Sequence, residues 1–194
     1  MIRGIPLGEP ESQTLEFKGA GALKDLASIS REVVAMLNSR GGDVWIGIEE
    51  REGRGASVEG IPDAEREARR LRDHLVDSIH PSPSAEEVSL SCASDETGRS
   101  VLLVRARPRK ERKPYAFRKE GGWHFLLRVG DRVRPMSREE FLGPVSSTEE
   151  ARRTGERLRK EREALREGKA GVYWVRIQPL APARVPKRED WLDA

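Results

Sequence analysis

The apolar positions along the chain change period several times, and each change predicts an element. In Thr14-Leu15-Glu16-Phe17-Lys18 they alternate, the two-residue period of a strand, with Leu15 and Phe17 facing one way and Thr14, Glu16 and Lys18 the other. Gly19 and Gly21 break that run. From about Leu23 to Ser39 the spacing lengthens to three and four, with Leu26, Ile29, Val33, Met36 and Leu37 on one stripe, which predicts a helix. Asn38-Ser39-Arg40-Gly41-Gly42 ends it, the glycines supplying a tight turn with unusual backbone angles. Val44-Trp45-Ile46-Gly47-Ile48 is continuously apolar and reads as a central strand covered on both faces, with Glu49-Glu50 where it emerges. Gly53, Gly55 and Gly60 mark a loop. A second helix is predicted from about Asp63 to Ile79, striped by Ala68, Leu71, Leu75 and Val76 and stopped by Pro81-Ser82-Pro83.

Three more strands are expected, at Val88 to Cys92, Ser100 to Ala106 and His124 to Val129. Between the last two lies a prolyl, basic connection, Arg107 to Tyr115. Ser137 to Phe141 predicts a short helix with Ser137 as N-cap and Glu140 at the capping-box position. The pattern then collapses. Thr148 to Lys169 is almost all Glu and Arg, with only Ala151, Leu158 and Leu165 spaced by seven, too thin for a coiled-coil seam. An exposed helix held by ion pairs is expected there. Val172 to Ile177 reads as one further strand, and Pro179 to Ala194 as a loose prolyl tail. The division is a domain over 1–145 and a charged appendage over 146–194.

Composition sharpens this picture. With 194 residues the chain fits one domain plus a small appendage, and its 36% charged residues exceed the roughly 25% of an average domain. No apolar run approaches a membrane span, and Met1 to Pro6 lacks a signal-peptide apolar core, so a cytoplasmic protein without membrane association is expected. The single cysteine, Cys92, fits a reducing compartment and reads as a buried bystander. His74, His80 and His124 have no cysteine partners at ligand spacing, so no zinc is expected. The net charge of +3 conceals an asymmetry: Arg99 to Arg138 holds 13 Lys/Arg against 3 acids. Such a block points to a polyanionic partner, most simply nucleic acid, or alternatively to a solvated arginine-rich face.

The order of motifs also resembles a known family. Glu11-Ser12-Gln13-Thr14-Leu15-Glu16-Phe17-Lys18, a helix, Ala35 to Gly42, and Val44-Trp45-Ile46-Gly47-Ile48-Glu49-Glu50 resemble the Schlafen-type AlbA domain. Leu127-Arg128-Val129-Gly130-Asp131, leading into Ser137 to Phe141, is similar to its closing R-V-G motif. The resemblance spans roughly residues 9 to 143. It implies an α+β domain with a mixed or antiparallel sheet flanked by helices, to which the charged C-terminal helix is added, and it implies nucleic-acid binding. Through the Schlafen ribonucleases it also implies a metal-dependent endoribonuclease centred on three carboxylates. Matched position by position, these fall on Glu11, Glu16 and Glu49, the last a Glu where Asp is usual, which extends its reach by one methylene.

Carboxylates of this kind suit Mg²⁺ or Mn²⁺, which can polarise a phosphodiester and activate water. Lys18, on the same strand face as Glu16, could steady a pentavalent phosphate. The plainer alternative makes Glu11 and Glu16 solvated strand-edge acids with Lys18 as ion-pair partner. Arg105, Arg107, Arg109, Lys110, Arg112, Lys113, Arg118, Lys119, Arg128 and Arg132 could track phosphates, with Tyr115 and Phe117 available for stacking. RNA is favoured over DNA as the partner, structured RNA such as tRNA as the substrate, and a homodimer as the assembly that would rebuild a two-lobed groove. Gly41-Gly42 lacks the Lys and Ser/Thr of a phosphate-binding loop, so no ATP is expected. Two other readings stay open: a non-catalytic DNA- or RNA-binding regulatory module, and an adaptor working through the charged tail.

Overall fold

The computed structural model describes residues 4–147 and 156. The chain divides into two units, Met1–Val145 and Ser146–Ala194. The helix expected over 148–169 (apart from Glu156), the strand over 172–177 and the prolyl tail lie outside the described residues.

Strand β1 (Leu15–Lys18) leads through a 3₁₀ turn (Ala20–Lys24) into helix α1 (Leu26–Asn38), and the chain returns as β2 (Gly42–Ile46), parallel to β1. The helix begins at the first residue of its apolar stripe, three residues after the expected start at Leu23, because Asp25 caps it, its carboxylate accepting from the amides of Ala27 and Ser28. Gly41 makes the turn back at φ +82°, where an added Cβ would lie 2.5 Å from the Ala106 carbonyl oxygen. The apolar run that followed was expected to be one strand. It is two: β2 and β3 (Ile48–Arg51), separated at Gly47, whose φ of +92° turns the backbone out of the sheet.

β3 pairs with β4 (Arg54–Val58), where the glycines predicted a loop. Gly55 belongs to that strand because the Phe17 ring packs on it; a Cβ there would stand 2.8 Å from the ring. Helix α2 (Ala64–Ser78), capped by Asp63, ends as expected before Pro81. β5 (Ile79–His80), β6 (Val88–Ser94) and β7 (Ser100–Ala106) follow, then β8 (Ala116–Lys119), β9 (Gly122–His124), β10 (Leu126–Val129), β11 (Arg132–Pro135) and α3 (Arg138–Ser147).

The architecture is α+β, as expected. The main sheet has the order β1-β2-β7-β6, parallel at the first pair and antiparallel beyond it. Both of its faces are covered, which is why β2 and β7 read as unbroken apolar runs. Val44, Ile46, Leu102 and Val104 pack with α1 and α2 residues such as Val33, Leu37, Leu71 and Leu75. Trp45, Val101 and Leu103 pack on the other face with Phe17, Ile48 and Val58, under the β3–β4 hairpin. Smaller antiparallel sheets, β5-β8-β9 and β10-β11, complete the domain. No described helix is long and apolar enough to cross a membrane.

Candidate functional site

Four charged side chains meet beneath β1. Alternation along β1 sends Leu15 and Phe17 toward the β3–β4 hairpin and Glu16 and Lys18 toward α1. There Glu16 Oε2 accepts from Arg128 Nη2 at 2.7 Å, and its Oε1 from Lys18 Nζ at 3.0 Å. Glu32, on α1, accepts from Arg128 Nη1 at 2.9 Å and lies 3.7 Å from Lys18 Nζ. Arg128 Nε and Nη2 also donate to the carbonyls of Ser12 (2.8 Å) and Leu15 (3.1 Å) respectively. Arg128, on β10, is 1% exposed, and Glu16 and Glu32 are also buried. Two carboxylates thus face two cations, and no donor nitrogen of the guanidinium is left without a partner. Burial and the neighbouring Glu16 push the Glu32 carboxyl up, against the pull of Lys18 and Arg128.

The motif around Asn38 locks the same region. Asn38 Nδ2 donates to the carbonyls of Tyr115 (2.7 Å) and Leu126 (2.9 Å), while its Oδ1 accepts from the Tyr115 amide (2.7 Å). Ser39 Oγ exchanges hydrogen bonds with the backbone of Arg128, accepting from its amide and donating to its carbonyl. Lys113 Nζ closes the C-terminus of α1 on the carbonyls of Asn38 and Ser39. The motif residues therefore bind one another, and much of their pattern is architecture.

Glu11 precedes β1, its amide donating to the Gly53 carbonyl at 2.7 Å and its Oε1 accepting from the Phe17 amide at 3.0 Å. Burial raises its carboxyl above the ordinary value, and Glu16 and Glu50 raise it further against the Phe17 hydrogen bond. The third acid in its field is thus Glu50, which accepts from the Gly53 amide. Glu49 is half-buried and occupied elsewhere, with Ser57 Oγ at 2.9 Å and the Arg51 guanidinium at 3.0 Å; these hold its carboxyl below the usual range. Glu49 and Glu50 also border an open depression of about 560 Å³ together with Phe17, Gly19, Ser57 and Glu59, an acidic surface unsuited to phosphate.

The structure therefore brings Glu11, Glu16 and Lys18 to one edge of the sheet and leaves Glu49 outside the group. These residues as placed do not fit a metal ion: both Glu16 oxygens are occupied by cations, and among the described residues no three His, Cys, Asp or Glu side chains are grouped to hold one.

The basic residues separate in the same way. Arg128 is no surface contact, for the reason given. Arg105 is paired with Asp43 (2.8 Å), Arg109 with Glu86, and Arg112 with Glu87 (2.7 Å). Lys119 stands 3.6 Å from the exposed Glu120. Arg107, Lys110, Arg118 and Arg132 are exposed, and none has a side-chain ion-pair partner among the described residues. Tyr115 and Phe117 are buried, at 0% and 3% exposure, so neither is available for stacking: the Tyr115 hydroxyl donates to Glu87, and Phe117 fills the core. Among the described residues, the large aromatic that does reach solvent is Trp123, half exposed on β9. Cys92 is half-buried in β6 with its thiol pushed up by burial, which fits a bystander.

Sequence reasoning missed Glu32, Glu50 and Trp123. Glu32 was masked by its place within a helix stripe, although a carboxylate among Ile29, Val33 and Met36 is itself a signal for a buried partner.

Among solved structures, the chain is similar to the DIP2311 protein from Corynebacterium diphtheriae, at 20% identity and a TM-score of 0.48, over 70% of this chain and 27% of that one. It thus spans about a quarter of that protein's length. It is also similar to the N-terminal domain of a putative ATP-dependent DNA helicase RecG-related protein from Nitrosomonas europaea, at 21% identity and a TM-score of 0.48, over 66% of this chain and 81% of that one. The Schlafen AlbA_2 family model matches residues 11–137, the stretch that contains the Glu16–Arg128 pair and the Asn38 lock, and the chain belongs to that family.

Proposed function

We propose that this protein binds nucleic acid through charge and shape, holding the phosphate backbone on a basic surface. The observation that carries this reading is the set of exposed cations without ion-pair partners among the described residues, Arg107, Lys110, Arg118 and Arg132, within the basic block. Such cations release condensed counterions when they meet phosphates, so affinity falls with salt. The family membership supports the same reading. Structured RNA such as tRNA is the proposed ligand, and a homodimer the proposed assembly, to be read by light scattering.

The test is fluorescence anisotropy of labelled tRNA and of single- and double-stranded DNA across a salt series. Salt-dependent binding that weakens when Arg107 and Arg118 become Gln is the expected result. No binding at low salt would contradict it.

A second reading, metal-dependent endoribonuclease, is supported by the family membership and by Glu11 and Glu16 standing together at the β1 edge, Glu11 on the Phe17 amide and Glu16 one residue before it. It requires Glu16 to leave Lys18 and Arg128. Cleavage of labelled tRNA with Mg²⁺ or Mn²⁺, lost in Glu11→Gln, would establish it. Binding without cleavage leaves the non-catalytic reading.

A further inference from the structure

We infer that the outer face of the β8–β9 hairpin is a stacking platform for an unpaired nucleobase, so that the ligand is held at a single-stranded segment. The inference rests on the nucleic-acid reading above and narrows it. In the hairpin register Arg118 lies opposite Trp123, and both are exposed. Residues two apart on a strand share a face, so Ala116 lies on this face too. Across from Ala116, on β5, is His80, and its ring meets that of Trp123 at 5.6 Å with the planes tilted by 55°. An indole that is 50% exposed, beside an imidazole and opposite a guanidinium, is an apolar surface with a cation at its margin. That combination matches a base and its phosphate: the ring stacks while the cation meets the charge.

The platform is also well supported. The strands meet in a tight turn, Glu120 at φ +51° and Gly121 at φ +80°, the pair of left-handed residues that two-residue hairpins prefer. On the reverse face Phe117 is buried in the main core and its ring lies 5.2 Å from that of His124. The hairpin is thus fixed from behind, and little order would have to be gained on binding. Neither Arg118 nor the Trp123 indole nitrogen has a hydrogen-bond partner among the described residues, and Lys119 at the tip pairs only with the exposed Glu120. Base edges in a duplex groove do not present a free ring face, whereas an unpaired base in a loop or single strand does.

The experiment compares the full chain with Trp123→Ala, Trp123→Phe and Arg118→Gln. The probes are single-stranded RNA, single-stranded DNA, a duplex of the same sequence, and a single strand with abasic sites, all read by anisotropy, with circular dichroism and light scattering on each variant. Trp123→Ala is expected to weaken both single strands about 5- to 150-fold, to leave duplex binding within about twofold, and to leave the salt slope unchanged. Trp123→Phe should recover most of the loss, and the abasic strand should bind the parent as weakly as Trp123→Ala binds the intact one. Arg118→Gln should lower the salt slope by about 0.7. Single-strand affinity within about twofold of the parent in a folded Trp123→Ala would overturn the platform while leaving the binding reading intact. So would a change in oligomeric state without a change in affinity, which would assign the face to self-association. Failure of the parent to bind any of the probes would overturn both.

Discussion

Arg128 and Arg118 lie in the same basic stretch and have opposite fates. Arg128 is drawn under β1, where Glu16, Glu32 and two carbonyls engage all three of its guanidinium nitrogens. Arg118 stands on a hairpin with no ion-pair partner among the described residues. A buried arginine spends its charge on holding the fold together; an exposed one has charge left for a ligand. The basic block is therefore a mixture of structural and available cations, and only the second kind speaks for a partner.

That contrast is broken most severely at Arg128. Arg128→Met leaves Glu16 and Glu32 buried with Lys18 as their one ion-pair partner among the described residues, and the expected cost is about 3–5 kcal/mol, read as a fall in the urea midpoint at constant slope. A loss below about 1 kcal/mol would show that the network is solvated.

Tyr115→Phe is the next largest effect. It removes the buried hydroxyl that donates to Glu87, which retains Arg112 and the Ser84 amide, and should cost about 1–3 kcal/mol in the same assay. By contrast, Arg107→Gln and Arg132→Gln should change stability by less than about 0.5 kcal/mol, while each lowers the salt slope of single-strand binding by about 0.7.

Glu11 gives the smallest effect and the sharpest sign. Its carboxyl is raised in the folded protein, first by burial and then by Glu16 and Glu50, so the folded state holds the proton more tightly than the unfolded one. Below the ordinary value of 4.5 both states are protonated and the group is neutral in its effect. As the pH rises through the folded value the charged form becomes a penalty. Glu11→Gln, which keeps an oxygen for the Phe17 amide, should therefore melt higher than the parent at neutral pH, with the difference vanishing on acidification. A difference that grows toward acid would reverse the assignment.

The elements with strong apolar period are legible in the sequence: β1, α1, α2, β6 and β7 lie where alternation or helical spacing places them. Those without it are not. β4 contains a glycine because an aromatic ring sits on it, and the same glycine reads as a loop signal in the chain. The β8–β9 hairpin carries its polar residues outward and is held through Phe117 alone among its larger apolar side chains, so its alternation is too short to see. Candidate chemistry was legible by residue type and not by environment. Glu16 and Lys18 were correctly placed on one strand face. That their charges are turned inward depends on Glu32 and Arg128, which are 96 residues apart and meet only in the fold.

The most direct measurement is the salt dependence of single-strand binding by the parent and by a variant with Arg107, Lys110, Arg118 and Arg132 all replaced by Gln. If these exposed cations hold phosphate, the variant folds as the parent does and its slope of log affinity against log salt is shallower by about 3. An unchanged slope, or a parent that binds no nucleic acid at low salt, would contradict the account.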